Sequence, residues 1–297
     1  EALALFDRAL EVNPRFEWAI GSRIFSLDFY AGATTQMQQE ARALWWERIG
    51  APIHAAYAAP HLNDRDPERK LVIGYVSADF KSHSAAFCFY PVLKNHDHTK
   101  FEVICYSGVI VPDVMTERFQ ETADKWLDVS QWPHDQLAQR IRDDKVDILV
   151  DLSGYTQGTR LDVFARRSAP VQVTAWGHAT GTGLETMDYF FSDPVGIPQE
   201  ERHFYAETIV DLPALAIIEP PPADWHSAEL PFDRTGHLTY GVLNRASKIS
   251  DPSLDVWARI LARNPTSRLI IKDTQIDDAA VVQLYADGFD TLTLREK

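Results

Sequence analysis

The spacing of apolar residues divides the chain into four parts. Residues 2–59 carry apolar positions three and four apart, which predicts helices, and the polar stretch HLNDRDPERK at 61–70 predicts a linker. From Leu71 onward, short and nearly continuous apolar runs alternate with helical patterns. The Pro-rich passage EPPPADW at 219–225 interrupts this alternation, which then resumes, so the passage predicts a domain boundary.

The alternating parts predict an α/β fold. Strands are predicted at 71–77, 101–107, 146–152 and 171–175 and, after the Pro-rich passage, at 238–243 and 267–272. Because strands that are apolar at nearly every position are buried on both faces, we expect a parallel sheet with helices on both sides. A helix is also expected from about Pro252, capped by Asp251.

These boundaries predict four regions. In residues 1–14, Ala2, Phe6, Ala9 and Pro14 have the spacing of the second helix of a tetratricopeptide repeat, with an ordinary surface helix as the alternative. The other regions are a helical connection at 15–60, an α/β domain at 69–220 and the start of a second domain at 236–297. Two strand-and-helix units are too few for a whole domain, so we expect the chain to be part of a longer protein.

Composition narrows the possible function classes. The 297 residues are 45% hydrophobic and 24% charged, which is enough for a large core without disulfide or metal support. A net charge of −14 repels a phosphate backbone, so nucleic acid is not an expected partner. Cys88 and Cys105 lie in apolar surroundings, which predicts two buried thiols in a cytoplasmic protein. No apolar run reaches the roughly 18 residues of a membrane helix, so no membrane partner is expected.

The loops beyond the carboxyl ends of the strands are where an open parallel sheet binds ligands. His83 lies where the loop after the first strand becomes a helix, with Ser82 or Ser84 expected as the cap. It is a candidate general base or substrate-binding group, and the alternative is a histidine bonded only to local backbone. Asp79, four residues earlier, either orients His83 or helps to accept the proton, and the ordinary alternative is a residue that forms the turn.

A second candidate loop is WGHATGTG at 176–183, whose glycines and threonines allow backbone amides to approach a phosphate or a sugar hydroxyl. It is expected to turn a strand into a helix, and it lacks the GxGxxG pattern of a dinucleotide site. Its candidate binding residues are Gly177, His178 and Thr180, with His178 either facing the cleft or only stabilising the loop.

Two further features have a functional and an ordinary interpretation. Lys248 precedes a predicted helix and is placed to bind an anion such as a phosphate, or else it is a solvated surface lysine. Asp64 and Asp66 are a conceivable metal-binding pair, but their highly charged surroundings favour a linker, and no metal is expected.

Several stretches, taken together and in order, carry a family resemblance. They are LVIGYVSADFKSH, FEVICYS, DILVDLSGYTQGTRLDVFARRSAPVQVT, the loop ending in MDYFFSD, and NRASKISDPSLDVWARILARNPTSRLII. The chain resembles bacterial members of the O-linked N-acetylglucosamine transferase family, which also contains the plant SPINDLY proteins.

The resemblance implies a GT-B glycosyltransferase. Tetratricopeptide repeats would present a protein substrate, followed by Rossmann-like domains at 69–220 and from 236 onward with a nucleotide sugar between them. It implies an inverting, metal-free transfer of N-acetylglucosamine from UDP-N-acetylglucosamine to Ser or Thr hydroxyls of proteins, without a cofactor. Because most of the second domain would lie beyond Lys297, we expect the chain alone to be inactive.

The resemblance also assigns roles to single residues. His83 matches the family's active-site histidine, Asp79 the aspartate before it, and Lys248 the lysine that binds the diphosphate of UDP. Arg245 matches a position beside the nucleotide where many relatives have Gln. Tyr155 and Thr156 match the family's GYT loop in the cleft.

One departure affects the donor. Relatives commonly read WLGYPGT where this chain has WGHATGT, so His178 and Ala179 replace an aromatic residue and a proline. O-fucosyl transfer from GDP-fucose is therefore an alternative. A non-catalytic module that binds peptides or sugar nucleotides is another.

Overall fold

The computed structural model of the chain describes residues 2–66, 68–215, 217–220, 224, 229–245 and 248–272. The chain divides into two compact units, residues 1–220 and 221–297, with the division inside the Pro-rich passage. Among the described residues, no helix is both long enough and apolar enough to cross a membrane.

The first unit begins with helices, which we call the helical segment (residues 2–57). Its elements are α1 (Ala2–Val12), α2 (Glu17–Leu27), α3 (Thr35–Trp45), a π-helical turn (Trp46–Gly50) and α4 (Ala51–Tyr57). Each of the first three helices packs on the next. Thr34 caps α3 by accepting a hydrogen bond from the Met37 N–H at 3.2 Å. The helical segment belongs to the same compact unit as the sheet.

A seven-stranded parallel sheet follows. Its strands are β1 (Leu71–Ser77), β2 (Phe101–Ser107), β3 (Lys125–Asp128), β4 (Ile148–Asp151), β5 (Val171–Thr174), β6 (Tyr189–Ser192) and β7 (Thr208–Asp211). The connecting helices are α5 (Ser84–Lys94), α6 (Val114–Thr122), α7 (His134–Asp143) and α8 (Leu161–Ala165), with a 3₁₀ turn at Gln199–Phe204. The strand order is β3-β2-β1-β4-β5-β6-β7, which confirms the predicted parallel α/β sheet.

Side chains on the two faces of the sheet form two separate cores, because alternate residues of a strand point to opposite faces. The first core combines the helical segment, α7 and α8 with the strand residues Val76, Ile104, Tyr106 and Leu149. The second combines α5 and α6 with the strand residues Ile73, Tyr75, Val103, Cys105, Val150 and Val173 and with Leu152, which follows β4. The helical segment is therefore one of the layers that cover the sheet.

The sequence patterns did not predict three of the strands, and they predicted one helix that the structure does not contain at that position. Strands β3, β6 and β7 have four residues each and the mixed sequences KWLD, YFFS and TIVD, so pairing with neighbours rather than intrinsic pattern stabilises them. The prediction that the loop at 176–183 turns into a helix is wrong, because residues 175–188, which the structure describes in full, contain no helix between β5 and β6. This loop instead contacts α3 of the helical segment.

In the predicted linker at 61–70, the described residues (all but 67) form no helix or strand, and two of them are bonded to the sheet. Asn63 donates to Asp147 Oδ1 at 2.7 Å, and the Arg69 guanidinium donates to Asp147 Oδ2 at 2.8 Å. Asp147 immediately precedes β4, so the linker lies at the amino edge of the sheet. Asp64 and Asp66 belong to this loop, away from the carboxyl ends of the strands.

The second unit contains a short α/β arrangement. Helix α9 (Pro231–Thr235) precedes β8 (Thr239–Val242), and α10 (Asp251–Arg263) connects β8 to β9 (Arg268–Ile271), which pairs with β8 in parallel. The predicted cap is off by one residue, because Ser250 is the N-cap and Asp251 is the first helical residue. The part of the predicted second domain at 273–297 lies outside the described residues.

Candidate active site

The strand order reverses between β1 and β4, which makes this the switch point of the sheet. From β1 the chain continues to β2 and β3 on one side and returns to β4 on the other. The loops that leave the two strands therefore diverge, and such a divergence creates the crevice in which open α/β sheets bind ligands. The loops touch at their base, where the Ala78 N–H donates to Ser153 Oγ at 3.4 Å.

His83 and Asp79 lie in the loop after β1, on one side of this switch point. His83 is itself the N-cap of α5, where its Nδ1 accepts a hydrogen bond from the Ala85 N–H at 3.3 Å. The expectation that Ser82 or Ser84 caps this helix is therefore wrong, and the Ser82 N–H donates instead to Asp113 Oδ2 at 2.8 Å. The imidazole is partly open to solvent, with 44% of its side chain exposed.

The Asp79 carboxylate lies 3.7 Å from the same nitrogen of His83 and is buried. Burial raises the pKa of Asp79, while the nearby side chains of His83 and Lys81 act to lower it. Nδ1 thus lies between an amide donor and a carboxylate acceptor. If it accepts from the amide, Nε2 carries the proton and can donate to a substrate oxygen; if it donates to Asp79, Nε2 can accept a proton.

Asp151, at the end of β4, organises the loop on the other side of the switch point. Its buried carboxylate accepts hydrogen bonds from the Gly154 N–H at 3.0 Å, the Ser153 N–H at 3.1 Å and the Thr174 hydroxyl at 2.9 Å. Burial raises the pKa of Asp151, and these hydrogen bonds oppose the rise. The carboxylate therefore fixes the start of the SGYT loop.

The side chains of Tyr155 and Thr156 are both engaged within the protein. The buried Tyr155 hydroxyl donates to the Thr182 carbonyl at 2.7 Å, and the Thr156 hydroxyl donates to the Ser153 carbonyl at 2.7 Å. Their proposed contact with the donor stays a prediction. What the structure adds is that Tyr155 joins the loop after β4 to the loop after β5.

The Gly-rich loop at 176–183 is shaped by its neighbours. A side chain at Gly177 would overlap the Leu152 backbone, since its Cβ would lie 1.7 Å from the carbonyl oxygen. His178 Nε2 lies 3.1 Å from Asp28 Oδ2 in the helical segment, and its Nδ1 is 3.2 Å from the Thr180 hydroxyl. His178 had two interpretations, facing the cleft or stabilising the loop, and the contacts observed here are of the second type. Donor contact by Gly177, His178 and Thr180 stays a prediction.

Lys248 and Arg245 lie in the second unit between β8 and α10. The Lys248 N–H donates to the Arg245 carbonyl at 2.9 Å, and both residues are exposed. Lys248 lies three residues before Asp251, the first residue of α10, so its backbone is close to the amino end of that helix, where the helix dipole is positive. That Lys248 and His83 share one crevice stays a prediction.

Among the described residues, no three His, Cys, Asp or Glu side chains are grouped so that they could hold a metal ion. The expectation that the protein uses no metal stays a prediction.

Comparison with known proteins identifies the family. Residues 30–219 match Glycosyl transferase family 41. The chain belongs to this family. It is 33% identical over 292 residues to a probable UDP-N-acetylglucosamine–peptide N-acetylglucosaminyltransferase SPINDLY of Arabidopsis thaliana, which covers 97% of the chain and 32% of the relative. The tomato (Solanum lycopersicum) protein of the same name is 35% identical over 268 residues, covering 89% of the chain and 29% of that protein.

A solved structure of an O-GlcNAc transferase also matches the fold of this family 41 chain. A mutant of the O-GlcNAc transferase of Thermobaculum terrenum superposes with a TM-score of 0.87 at 33% identity, covering 97% of the chain and 54% of that protein. The seven-stranded sheet thus matches the Rossmann-like, GT-B-type sheet of that transferase. The chain spans about a third of the length of the curated relatives it matches.

Sequence reasoning missed several polar residues that shape the site of this family 41 chain. Asp151 had a detectable signal, because it is a carboxylate at the end of an apolar strand. Asp28, Arg42 and Glu207 had none, because each is far in sequence from the loop at 176–183 that it contacts.

Proposed function

We propose that the complete protein is an inverting, metal-independent glycosyltransferase. It transfers N-acetylglucosamine from UDP-N-acetylglucosamine to Ser or Thr hydroxyls of proteins. The observation that carries the proposal is the pair His83 and Asp79 at the switch point of a family 41 sheet. Relatives whose names specify a peptide acceptor and a UDP-N-acetylglucosamine donor support the same reaction.

The proposed chemistry assigns separate roles to His83, Asp79 and Lys248. The acceptor hydroxyl attacks the anomeric carbon, the bond to the UDP oxygen breaks, and the configuration at that carbon inverts. His83, oriented by Asp79, binds the acceptor or takes up its proton through Nε2. Negative charge develops on the leaving diphosphate, and Lys248 and the amino end of α10 stabilise this charge. Such electrostatic stabilisation is usually the largest single contribution to the rate enhancement.

The remaining predicted residues contribute to donor binding in this proposal. Arg245 is assigned to the nucleotide. Tyr155, Thr156, Gly177, His178 and Thr180 act by giving two loops their shape, since the hydroxyl and imidazole groups among them are bonded within the protein.

The cytoplasm is the proposed compartment, and the free thiols of Cys88 and Cys105 support it, because disulfides are rare there. The proposed partners are protein acceptors and a nucleotide sugar, without nucleic acid or membrane.

The test supplies the purified complete protein with either UDP-N-acetylglucosamine or GDP-fucose and a lysate from cells lacking its gene. We expect mass spectrometry to find new N-acetylhexosamine on Ser and Thr with the first donor only. The sugar should be β-linked, as inversion of an α-linked donor requires, and NMR of a glycosylated peptide measures this.

Two outcomes would contradict the proposal. Transfer only from GDP-fucose would replace the donor and leave the reaction class intact. Binding of either donor without any transfer would instead indicate a non-catalytic module.

A further inference from the structure

The loop at 176–183 is held on one side by Arg42 of α3. The Arg42 side chain is fully buried, and its Nε donates to the Gly181 carbonyl at 3.1 Å. Its Nη2 also donates to the Thr180 hydroxyl. One turn earlier on the helix, Gln39 donates to the Thr180 carbonyl at 2.8 Å. A helix of the helical segment therefore binds two successive residues of the loop through backbone and side-chain groups.

Asp28 fixes Arg42 in this position. The Arg42 Nη2 lies 3.0 Å from both carboxylate oxygens of Asp28, and Nη1 donates to the Gln38 carbonyl at 2.9 Å. Asp28 also pairs with His178 Nε2 at 3.1 Å, so one carboxylate joins the helix to the loop. Although burial opposes it, hydrogen bonds and charge from His178 and Arg42 lower the pKa of Asp28.

Glu207 holds the loop from the other side. This buried residue lies immediately before β7, and its Oε1 accepts hydrogen bonds from the Thr182 N–H at 2.6 Å, the Thr182 hydroxyl at 2.6 Å and the Gly183 N–H at 3.1 Å. Hydrogen bonds to an ionised acceptor are stronger than neutral ones. Thr180 and Gly181 are thus bound by the helical segment, and Thr182 and Gly183 by Glu207.

The loop also touches the helix through its backbone. Gly183 has a φ of +70°, and a Cβ there would lie 2.5 Å from Arg42 Cβ. The contact continues to the other loop of the site, because Tyr155 bonds to the Thr182 carbonyl and its ring meets Trp45 of α3 edge-on, with ring centroids 6.0 Å apart. A shift of α3 would therefore move both loops.

We propose that Arg42 and Glu207 are positioning residues that hold the 176–183 loop in its donor-binding form. The inference rests on the proposed function for the role of the loop. In physical terms, helix α3, which lies outside the sheet, sets the conformation of this loop together with the strand ends. Neither residue contacts substrate in this scheme, so both act through the loop.

The first test measures loop geometry without any reaction. Hydrogen–deuterium exchange of the complete protein compares Arg42→Met and Arg42→Lys with the control variant Arg23→Met. Arg23 forms an ion pair with Asp7, with 2.7 Å between Nε and Oδ1, and this pair joins α2 to α1 and does not involve the loop. In Arg42→Met we expect the loop amides to exchange about tenfold faster or more, as loss of charged hydrogen bonds predicts. Exchange in β2 should be unchanged, and Arg42→Lys should rescue only part of the effect, since Lys lacks the planar fork.

Glu207→Gln keeps the inference testable if Arg42→Met does not fold. The amide keeps the shape of the carboxylate but not its charge, so we expect faster exchange confined to the loop and smaller in size. Unchanged loop exchange in a folded variant, or an equal rise throughout the sheet, overturns the inference.

The second test measures kinetics. We expect Arg42→Lys and Glu207→Gln to raise the KM for the sugar donor severalfold, with little change in the KM for the acceptor peptide, whereas Arg23→Met matches wild type. A rise in acceptor KM alone overturns the inference. Absence of transfer by the wild-type protein would count against the proposed function only, because the exchange experiment decides the positioning role independently.

Discussion

The most informative residue is His83, because one of its ring nitrogens has two competing partners. Nδ1 accepts from the Ala85 N–H while the Asp79 carboxylate lies 3.7 Å away. A shift of this nitrogen from amide to carboxylate changes what Nε2 offers a substrate, from a proton to a lone pair. The buried Asp79 thus controls the chemistry of an exposed imidazole.

The pKa of Asp79 leads to a pH-dependent prediction. Because burial raises this pKa in the folded state, the group stabilises the fold at low pH, and this contribution is lost as the pH rises through the folded pKa. Asp79→Asn should therefore raise the free energy of unfolding at pH 7, because a neutral amide avoids the cost of burying a charged carboxylate. The gain should shrink as the pH is lowered toward about 4, near the ordinary pKa of Asp.

Urea denaturation across this pH range measures the effect, and a transfer assay on the same variant should show a loss of rate. A variant less stable than wild type at pH 7 would contradict the assignment of burial as the dominant influence on Asp79.

Lys248 gives a second prediction at this scale. Lys248→Ala in the complete protein should lower the transfer rate by about 10²- to 10³-fold, the usual effect of removing one group that stabilises a developing negative charge. Lys100→Ala is the matched control, because Lys100 is exposed at the amino edge of the sheet, just before β2. Steady-state kinetics measures both, and a Lys248→Ala rate within tenfold of wild type would remove Lys248 from the site.

Among the elements, the loop at 176–183 is the one whose neighbours most determine its conformation. Gly181 and Gly183 both have a φ near +70°, at +72° and +70°. A Cβ at Gly181 would meet mainly the Tyr205 ring at 3.1 Å, whereas one at Gly183 would lie 2.5 Å from Arg42 Cβ. The two glycines therefore share a left-handed φ but differ in which residue an added Cβ would meet.

Alanine substitutions at these glycines separate the backbone strain of a positive φ from the steric overlap of a new Cβ with Arg42. Gly181→Ala should lower the free energy of unfolding by roughly 1–2 kcal/mol, the usual penalty of a left-handed conformation with a side chain. Gly183→Ala should lose a further 1–3 kcal/mol or so, because it also forces α3 to move. Chemical denaturation followed by tryptophan fluorescence measures both losses. Equal losses would show that the loop and α3 are not tightly packed.

For the molecule as a whole, the first unit is a sheet between two cores, and the helical segment forms part of one of them. Cys105 is fully buried on the opposite face, while Cys88 is only half-buried on α5, so the expectation of two buried thiols is correct for Cys105 alone. Burial raises the pKa of both thiols and so suppresses the reactive thiolate.

Thiol labelling should therefore report unfolding of the whole sheet. At pH 7 and 25 °C we expect Cys88 to react slowly with a soluble thiol reagent and Cys105 to react only as urea unfolds the unit. Peptide mapping after timed labelling distinguishes the two sites, and a Cys88→Ser variant isolates Cys105. Labelling of Cys105 at the rate of Cys88 under native conditions would show that the core opens locally.

Part of the candidate site was predictable because it depends on neighbours in sequence. Asp79, His83 and the SGYT loop directly follow apolar strands, and parallel strands bring such loops to one edge. The capping role of His83 was not predictable, since three adjacent polar residues compete for it. The short strands β3, β6 and β7 depend on partners across the sheet, which single-sequence patterns do not contain.

The sequence by itself determined the α/β class, the strands β1, β2, β4, β5, β8 and β9, and the loops at their carboxyl ends, because alternation and helical spacing record which face of each element is buried. Only the tertiary structure decided that Asp28, Arg42 and Glu207 meet around the loop at 176–183. The physical reason is that hydrophobic patterns specify burial but not partners. A buried charge finds its partner only after distant elements have packed together.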